Sequence, residues 1–108
     1  MKQDSIIYDR AKENLRQYWR LNEESLNKRV IYQCSMLVYL IKQEYQEDTR
    51  SFSIMPEQYL EEKTKLFQLR KKIKKGTDSY KEAIEAYNET LEYIELVIRP
   101  RVNMRAIA

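Results

Sequence analysis

Five cationic side chains fall within six residues of this 108-residue chain, immediately before its single glycine, Gly76. This basic run consists of Arg70, Lys71, Lys72, Lys74 and Lys75. If all five neutralised phosphates, binding would weaken with salt along a log–log slope of up to about −4. The alternative is the solvated end of a helix, where each cation gains at best about 0.3–1 kcal/mol from the helix dipole. Because capping explains only one or two cations, the basic run is a candidate nucleic-acid or anion site.

Catalytic chemistry has few candidate residues in this chain. There is no histidine, which removes the commonest general base, the commonest metal ligand and every Ser-His or Cys-His pair. Glu61 and Glu62 are adjacent on a predicted helix, so their carboxylates diverge by about 100°. A single glycine cannot build a phosphate-binding loop. The sequence therefore predicts a protein that is not an enzyme and that uses no cofactor, metal or small-molecule substrate.

The only cysteine, Cys34, lies inside a predicted apolar stripe, where a buried and inert thiol is expected. No disulfide can form within the chain, which favours a reducing compartment. The first residues lack the apolar core of a signal peptide, and the longest apolar run, 36–41, is far shorter than a membrane helix of about 20 residues. We therefore expect a cytoplasmic protein with no membrane association.

A second candidate site surrounds the only tryptophan, Trp19. Tyr18 continues the apolar stripe of the first helix, which places Trp19 about 100° away from it, between Arg16 and Arg20. A tryptophan at the edge of a helix between arginines is typical of a protein-interaction hot spot. Half-buried packing is the alternative interpretation.

Other interface candidates are aromatic and apolar side chains that lie off the predicted buried stripes. They are Tyr32, Met36, Tyr39, Leu40 and Tyr93. Three of them belong to the segment 36–41, which is apolar on nearly every side of its helix. Such a segment is either the centre of a bundle or covered by another chain, so a homodimer is a specific alternative to central burial.

Helix-forming residues dominate the composition, and the apolar residues recur every three or four positions in four segments. These segments are 4–21, 23–46, 56–76 and 79–100, with a loop over 46–55. Pro56 suits the first turn of the third helix, and Gly76 suits its end. No proline or glycine separates the first two segments, so a single kinked helix is an alternative for residues 4–46.

The third and fourth helices have predicted core faces. Leu60, Phe67 and Ile73 mark one apolar side of the third helix, with Tyr59 and Leu66 beside it. The fourth helix begins with Ser79 and Glu82, which have the spacing of a capping box. Its predicted seam is Tyr80, Ile84, Tyr87, Leu91, Ile94 and Ile98, and its opposite side is rich in glutamate.

Together these features predict one helical domain, residues 1–108, folded as an all-α, antiparallel four-helix bundle. Three long helices completed by a dimer partner are the alternative. In an antiparallel bundle, Arg99, Arg101 and Arg105 lie at the pole opposite the basic run, which gives two basic ends and no long groove.

The expected function is a non-catalytic protein-interaction module, such as a small regulator, adaptor, inhibitor or complex subunit. The alternative is a nucleic-acid-associated protein that uses residues 70–75. The net charge of +3 is too small to decide between a protein partner and a nucleic acid. The low glycine content is compatible with a bacterial or phage origin.

Overall fold

The computed structural model describes residues 2–19, 26–46, 54–76 and 79–102. These ranges contain four α-helices and two short helical turns. The helices are α1 (Lys2–Tyr18), α2 (Leu26–Ile41), α3 (Pro56–Lys72) and α4 (Tyr80–Val97). A π-helical turn, Lys42–Gln46, extends α2, and a 3₁₀ turn, Arg99–Arg101, follows α4. The all-α four-helix prediction is confirmed.

The first two helices are separate elements that lie side by side. α1 ends at Tyr18, and α2, which begins at Leu26, packs along it. The ring of Tyr8 on α1 stacks on that of Tyr39 on α2, with 6.4 Å between the centroids. A single kinked helix over residues 4–46 is therefore excluded, and so is the three-helix alternative that depended on it.

Like α4, which packs against the other three helices, α2 packs against α1, α3 and α4 and lies at the centre of the bundle. Its buried apolar side chains point in several directions: Val30, Ile31, Cys34, Leu37, Val38 and Ile41. Contacts within the chain therefore account for most of the apolar segment 36–41. Leu40 is the exception, with half of its surface exposed, and Leu26 at the start of the predicted stripe is exposed to the same extent.

α4 packs on α2 through small residues, which differs from the predicted seam. Ala83, Ala86 and Thr90 are buried. Of the predicted seam, Ile94 and Ile98 are fully buried as predicted, whereas the other members are only partly buried and pack against the edge of the core: Tyr80, Ile84, Tyr87 and Leu91. The Thr90 hydroxyl donates to the backbone carbonyl of Ala86 at 2.8 Å and lies 3.4 Å from that of Cys34. Small side chains let two helices approach closely. α4 therefore turns the side that carries its small residues towards α2, and the side that carries Tyr80 and Tyr87 lies at the edge of the contact.

α3 begins as predicted, but its buried face is rotated. Pro56 occupies the first turn, and the side-chain oxygen of Gln58 accepts a hydrogen bond from the Met55 backbone N–H at 2.8 Å. Leu66 is fully buried, whereas Leu60 and Phe67 are 59% and 44% exposed. The prediction of a core role for Leu60 and Phe67 was wrong.

The reason for this rotation is the spacing of the residues that face the core. Positions 59, 62, 66, 69 and 73 are buried or half-buried, and they follow one another in steps of three and four. Leu60 and Phe67 each lie one residue after a member of this series, which turns them by about 100° towards solvent.

The predicted capping box at the start of α4 is absent. Ser79 is the N-cap, but its φ of 64° is left-handed and its side chain makes no capping hydrogen bond. Its backbone carbonyl accepts the N–H of Ala83 at 2.9 Å. The left-handed backbone directs the hydroxyl away from the first turn, so serine acts here through its main chain alone.

Two contacts set the ends of α2 against α3. The side chain of Asn27, at the start of α2, bonds to Lys74, which follows α3. The Tyr45 hydroxyl, in the turn after α2, lies 3.4 Å from the Glu62 carboxylate in the first half of α3. The start of α2 is therefore beside the end of α3. Among the described residues, no helix is long and apolar enough to cross a membrane.

Candidate nucleic-acid interface

A groove with a volume of about 380 Å³ lies between the start of α2 and the end of α3. Four of its lining residues are cationic: Arg29 from α2, and Lys71, Lys72 and Lys74 from the basic run. The remaining lining residues are Leu26, Val30 and Gln33. Within the described residues no carboxylate lines this basic groove.

Asn27 holds the basic run against α2. It is only 2% exposed, and its side-chain amide donates to the Lys74 carbonyl at 3.1 Å. Its side-chain oxygen accepts the Lys74 backbone N–H at 2.8 Å. One side chain therefore pairs with both backbone groups of Lys74, as a neighbouring strand would. This fixes the chain after α3 beside Arg29.

Ile73 provides the second anchor for the basic run. It is 7% exposed, whereas Lys72 and Lys74 on either side are exposed. Its backbone is extended, with φ −74° and ψ 127°, so neighbouring side chains point in opposite directions. Burial of one isoleucine therefore turns two lysines outward, towards the groove.

Three of the four cations that line the groove have no carboxylate partner among the described residues. In the ranges that the structure describes, Arg29, Lys71 and Lys72 form no ion pair with a carboxylate. Two members of the basic run lie outside the groove lining. Arg70 places its guanidinium 5.9 Å from the ring of Tyr87, and Lys75 is exposed beside Gly76. The structure thus brings together three of the five predicted cations and adds Arg29.

A second cleft, of about 230 Å³, adjoins the basic groove on the other side of α2. It is lined by Tyr18, Trp19, Tyr32, Arg29 and Gln33, and we refer to it as the aromatic cleft. Trp19 is 64% exposed, and Tyr32 is half-buried. Arg29 and Gln33 line both depressions, so they form the ridge between them.

The arginines beside Trp19 have different positions. Arg16 is exposed and pairs with the carboxylate of Glu13 at 2.6 Å. Arg20 lies outside the described residues. Trp19 therefore meets Arg29 of α2 in the aromatic cleft, a neighbour that its own segment does not suggest.

The remaining interface candidates are distributed around the bundle. Met36 and Tyr39 are half-buried, and Leu40 lines a separate cleft of about 260 Å³ with Glu62 and Lys65. Tyr93 is fully buried, so its side chain has no exposed surface for a partner. The proposal of Tyr93 as an interface residue was wrong because α4 turns that position into the core.

The second basic end is remote from the groove. Arg99 pairs with Glu95 at 3.4 Å, and the Arg101 carbonyl accepts the N–H of Ile54 at 2.9 Å. Arg101 lies close enough to Tyr45, beyond the far end of α2, for their charges to interact. The 16 residues of α2 span about 24 Å, which separates these arginines from Lys74. Arg105 lies outside the described residues.

Cys34 and Glu62 are the buried thiol and the buried carboxylate of the described residues. Burial raises the pKa of the Cys34 thiol to about 12, so the thiolate that reacts is scarce at neutral pH. Burial also raises the pKa of Glu62, while Lys65 at 3.5 Å and the hydroxyl of Tyr45 partly compensate. No group of three or more potential metal ligands occurs among the described residues.

Comparisons of the chain with models of protein families, with curated proteins and with solved structures find no match. Function is therefore inferred from the basic groove and the aromatic cleft themselves.

Proposed function

We propose that this chain is a non-catalytic binding module whose helical surface holds the phosphate backbone of a nucleic acid in the basic groove. The observation that supports this most is the convergence of Arg29 with Lys71, Lys72 and Lys74. These cations come from positions more than 40 residues apart in the chain, and Asn27 and Ile73 hold them together.

The charge of the groove favours a polyanion over a neutral partner. Like charges on one surface repel, so clustering four cations in the groove costs the free protein stability. Phosphates relieve that repulsion and release their condensed counterions, which drives association. α4 carries Glu82, Glu85 and Glu92 as exposed carboxylates, and these would repel phosphate from that side. A nucleic acid is therefore directed to the α2–α3 side.

Fluorescence anisotropy with labelled oligonucleotides tests this proposal through its salt dependence. Four neutralised phosphates on a single strand predict a log–log slope of about −3, and each lost cation reduces its magnitude by about 0.7. The variant Lys71→Gln with Lys72→Gln should therefore bind with a slope of about −1.5. The matched control, Lys12→Gln with Lys81→Gln, removes the same charge from other surfaces and should retain the wild-type slope.

Two results would refute the proposal. Absence of binding to single- and double-stranded DNA and RNA at low salt would remove the ligand class. Equal losses in the groove variant and the control variant would show that net charge alone attracts the nucleic acid. Circular dichroism of both variants confirms that they are folded before binding is compared.

A second candidate function is the presentation of a helical surface to a protein partner, including a second copy of the chain. Leu40 supports it, because half of its side chain is exposed in the cleft that it shares with Glu62 and Lys65. For a homodimer, light scattering should give about twice the chain mass of 13.2 kDa. Leu40→Lys should then return the value to that of one chain, whereas a single-chain mass for the wild type excludes the homodimer.

We propose the cytoplasm as the location of the protein. The argument is the single, buried cysteine, which cannot contribute to a disulfide within the chain. Cell fractionation of a tagged chain tests this, and recovery in a membrane or secreted fraction contradicts it.

A further inference from the structure

We infer that the nucleic acid is single-stranded and that its bases stack on the aromatic cleft formed by Tyr18, Trp19 and Tyr32. This inference rests on the proposed function, since it assigns the bases of a ligand whose phosphates lie in the basic groove. The observation behind it is that the basic groove and the aromatic cleft adjoin each other and share two lining residues, Arg29 and Gln33.

The helical geometry of α2 places these groups side by side. Arg29 and Gln33 are one turn apart and form a ridge, with the α3 lysines on one side and Tyr32 on the other. Neighbouring helices lie about 8–10 Å apart, so the path from Lys72 on α3 across α2 to Trp19 spans roughly 16–20 Å. A single strand whose phosphates are held by the lysines can therefore cross the ridge over several nucleotides and place the bases of the later ones at the aromatic cleft.

The chemistry of the cleft suits bases better than it suits a simple anion. Proteins that bind single strands combine a cationic groove with aromatic rings, because every base has a flat face that stacks. Trp19 is 64% exposed, the highest value among the large apolar side chains described. Phe67 is also exposed, but it lines neither the basic groove nor the aromatic cleft, and the Lys63 ammonium lies 5.9 Å from its ring. Arg29 can additionally stack on a base through its planar guanidinium.

A duplex cannot use the same arrangement. Its bases are stacked on one another, so Trp19 and Tyr32 would meet only sugars and phosphates, while the cost of desolvating the rings remains. We therefore expect single strands to bind more tightly than duplexes of equal phosphate number, at equal salt.

The decisive comparison uses two probes with identical backbones. One is an oligomer of about 12 deoxythymidines, within the range of known single-strand site sizes, and the other is an abasic oligomer of the same length. Trp19 is the only tryptophan, so its fluorescence reports on the aromatic cleft alone. The thymidine oligomer should quench that fluorescence and bind more tightly, whereas the abasic oligomer should bind weakly and leave the fluorescence unchanged.

Variants then assign the difference to the rings. Trp19→Ala should weaken thymidine binding by about 5- to 150-fold, the range measured for one stacked base, with little effect on the abasic oligomer. Tyr32→Leu removes the aromatic ring but keeps most of the side-chain volume, which preserves the packing of this half-buried position. It should also weaken binding of the thymidine oligomer more than binding of the abasic oligomer. Phe67→Ala removes an exposed ring that lines neither the basic groove nor the aromatic cleft, and it should change the binding of neither oligomer.

The outcomes separate this inference from the proposed function. Equal binding of both oligomers overturns the stacking inference and leaves the phosphate groove in place. Binding of neither oligomer overturns both proposals. A poly-glutamate peptide of similar length provides the last comparison. If it binds as tightly as the thymidine oligomer, and if Lys71→Gln with Lys72→Gln abolishes that binding, the ligand is an acidic protein and both proposals are overturned.

Discussion

Replacing Asn27 with alanine should destabilise the fold and loosen the basic groove together. The side chain makes two hydrogen bonds to the backbone of Lys74, at 3.1 and 2.8 Å. Each is worth about 1 kcal/mol, which gives a loss of about 2 kcal/mol. Alanine is the better helix former by about 0.5 kcal/mol, so the expected net loss is about 1.5 kcal/mol.

This loss is large enough to measure by thermal unfolding. For a domain of this size, 1 kcal/mol corresponds to about 4–8 °C, so the midpoint should fall by about 6–12 °C. Circular dichroism provides the assay, and urea unfolding gives the free energy independently. The control is Asn88→Ala, which changes the same residue type at an exposed position of α4. Its midpoint should stay equal to the wild-type value or rise slightly, because only helix propensity changes.

The binding experiment on the same variant tests the positional argument. Asn27→Ala leaves every charge in place but frees the segment that carries Lys74, so nucleic-acid affinity should fall at unchanged net charge. The reasoning is refuted if the variant unfolds within 2 °C of the wild type, since Asn27 would then contribute nothing to holding the run. Destabilisation with unchanged affinity would retain the structural role of Asn27 and refute its role in the groove.

Three further predictions concern buried or strained residues. Cys34 should react with a thiol reagent only after unfolding, because burial raises its pKa to about 12; rapid labelling of the native protein would contradict this. The raised pKa of Glu62 means that the folded protein binds its proton more tightly than the unfolded chain, so this residue's contribution to stability is lost as the pH rises through that pKa. The free energy of unfolding of Glu62→Gln, relative to that of the wild type, should therefore increase from acidic to neutral pH. Urea titrations at several pH values measure this difference, and a difference that does not change with pH would refute the prediction. Ser79→Gly should raise the free energy of unfolding by about 1 kcal/mol, because glycine adopts the φ of 64° without strain, and an unchanged urea midpoint would count against that strain.

The helical class and the ends of several elements follow from local chemistry. Pro56 lacks the N–H that a first turn leaves unused, and the structure starts α3 there. The burial of Cys34 and Ile73 could also be predicted from the sequence, since each belongs to a series of apolar residues spaced by three or four positions. Such features depend on residues within one or two helical turns of each other, so the local sequence is sufficient to predict them.

The faces that helices turn towards one another depended on the tertiary structure. Large apolar residues on α4 predicted a seam through Tyr80 and Tyr87, which are only partly buried. The small residues Ala83, Ala86 and Thr90 are buried instead, and the Thr90 hydroxyl lies near the Cys34 carbonyl of α2. Hydrophobic periodicity weights large side chains, whereas close helix packing selects small ones. Tyr93 follows Ala86 and Thr90 in steps of four and three, so it lies on the same side of α4 and is buried with them.

The basic run shows which features the sequence predicts and which depend on the tertiary structure. Its cations are visible in the sequence, as is the isoleucine that anchors it. Its meeting with Arg29 depends on a pair of hydrogen bonds between Asn27 and Lys74, 47 residues apart. The position of that arginine beside Trp19 depends on the packing of α1 against α2. Periodicity is a property of neighbours along the chain, and it carries no information on which distant residues share a surface. Only the packing of α1, α2 and α3 brings the basic groove and the aromatic cleft together.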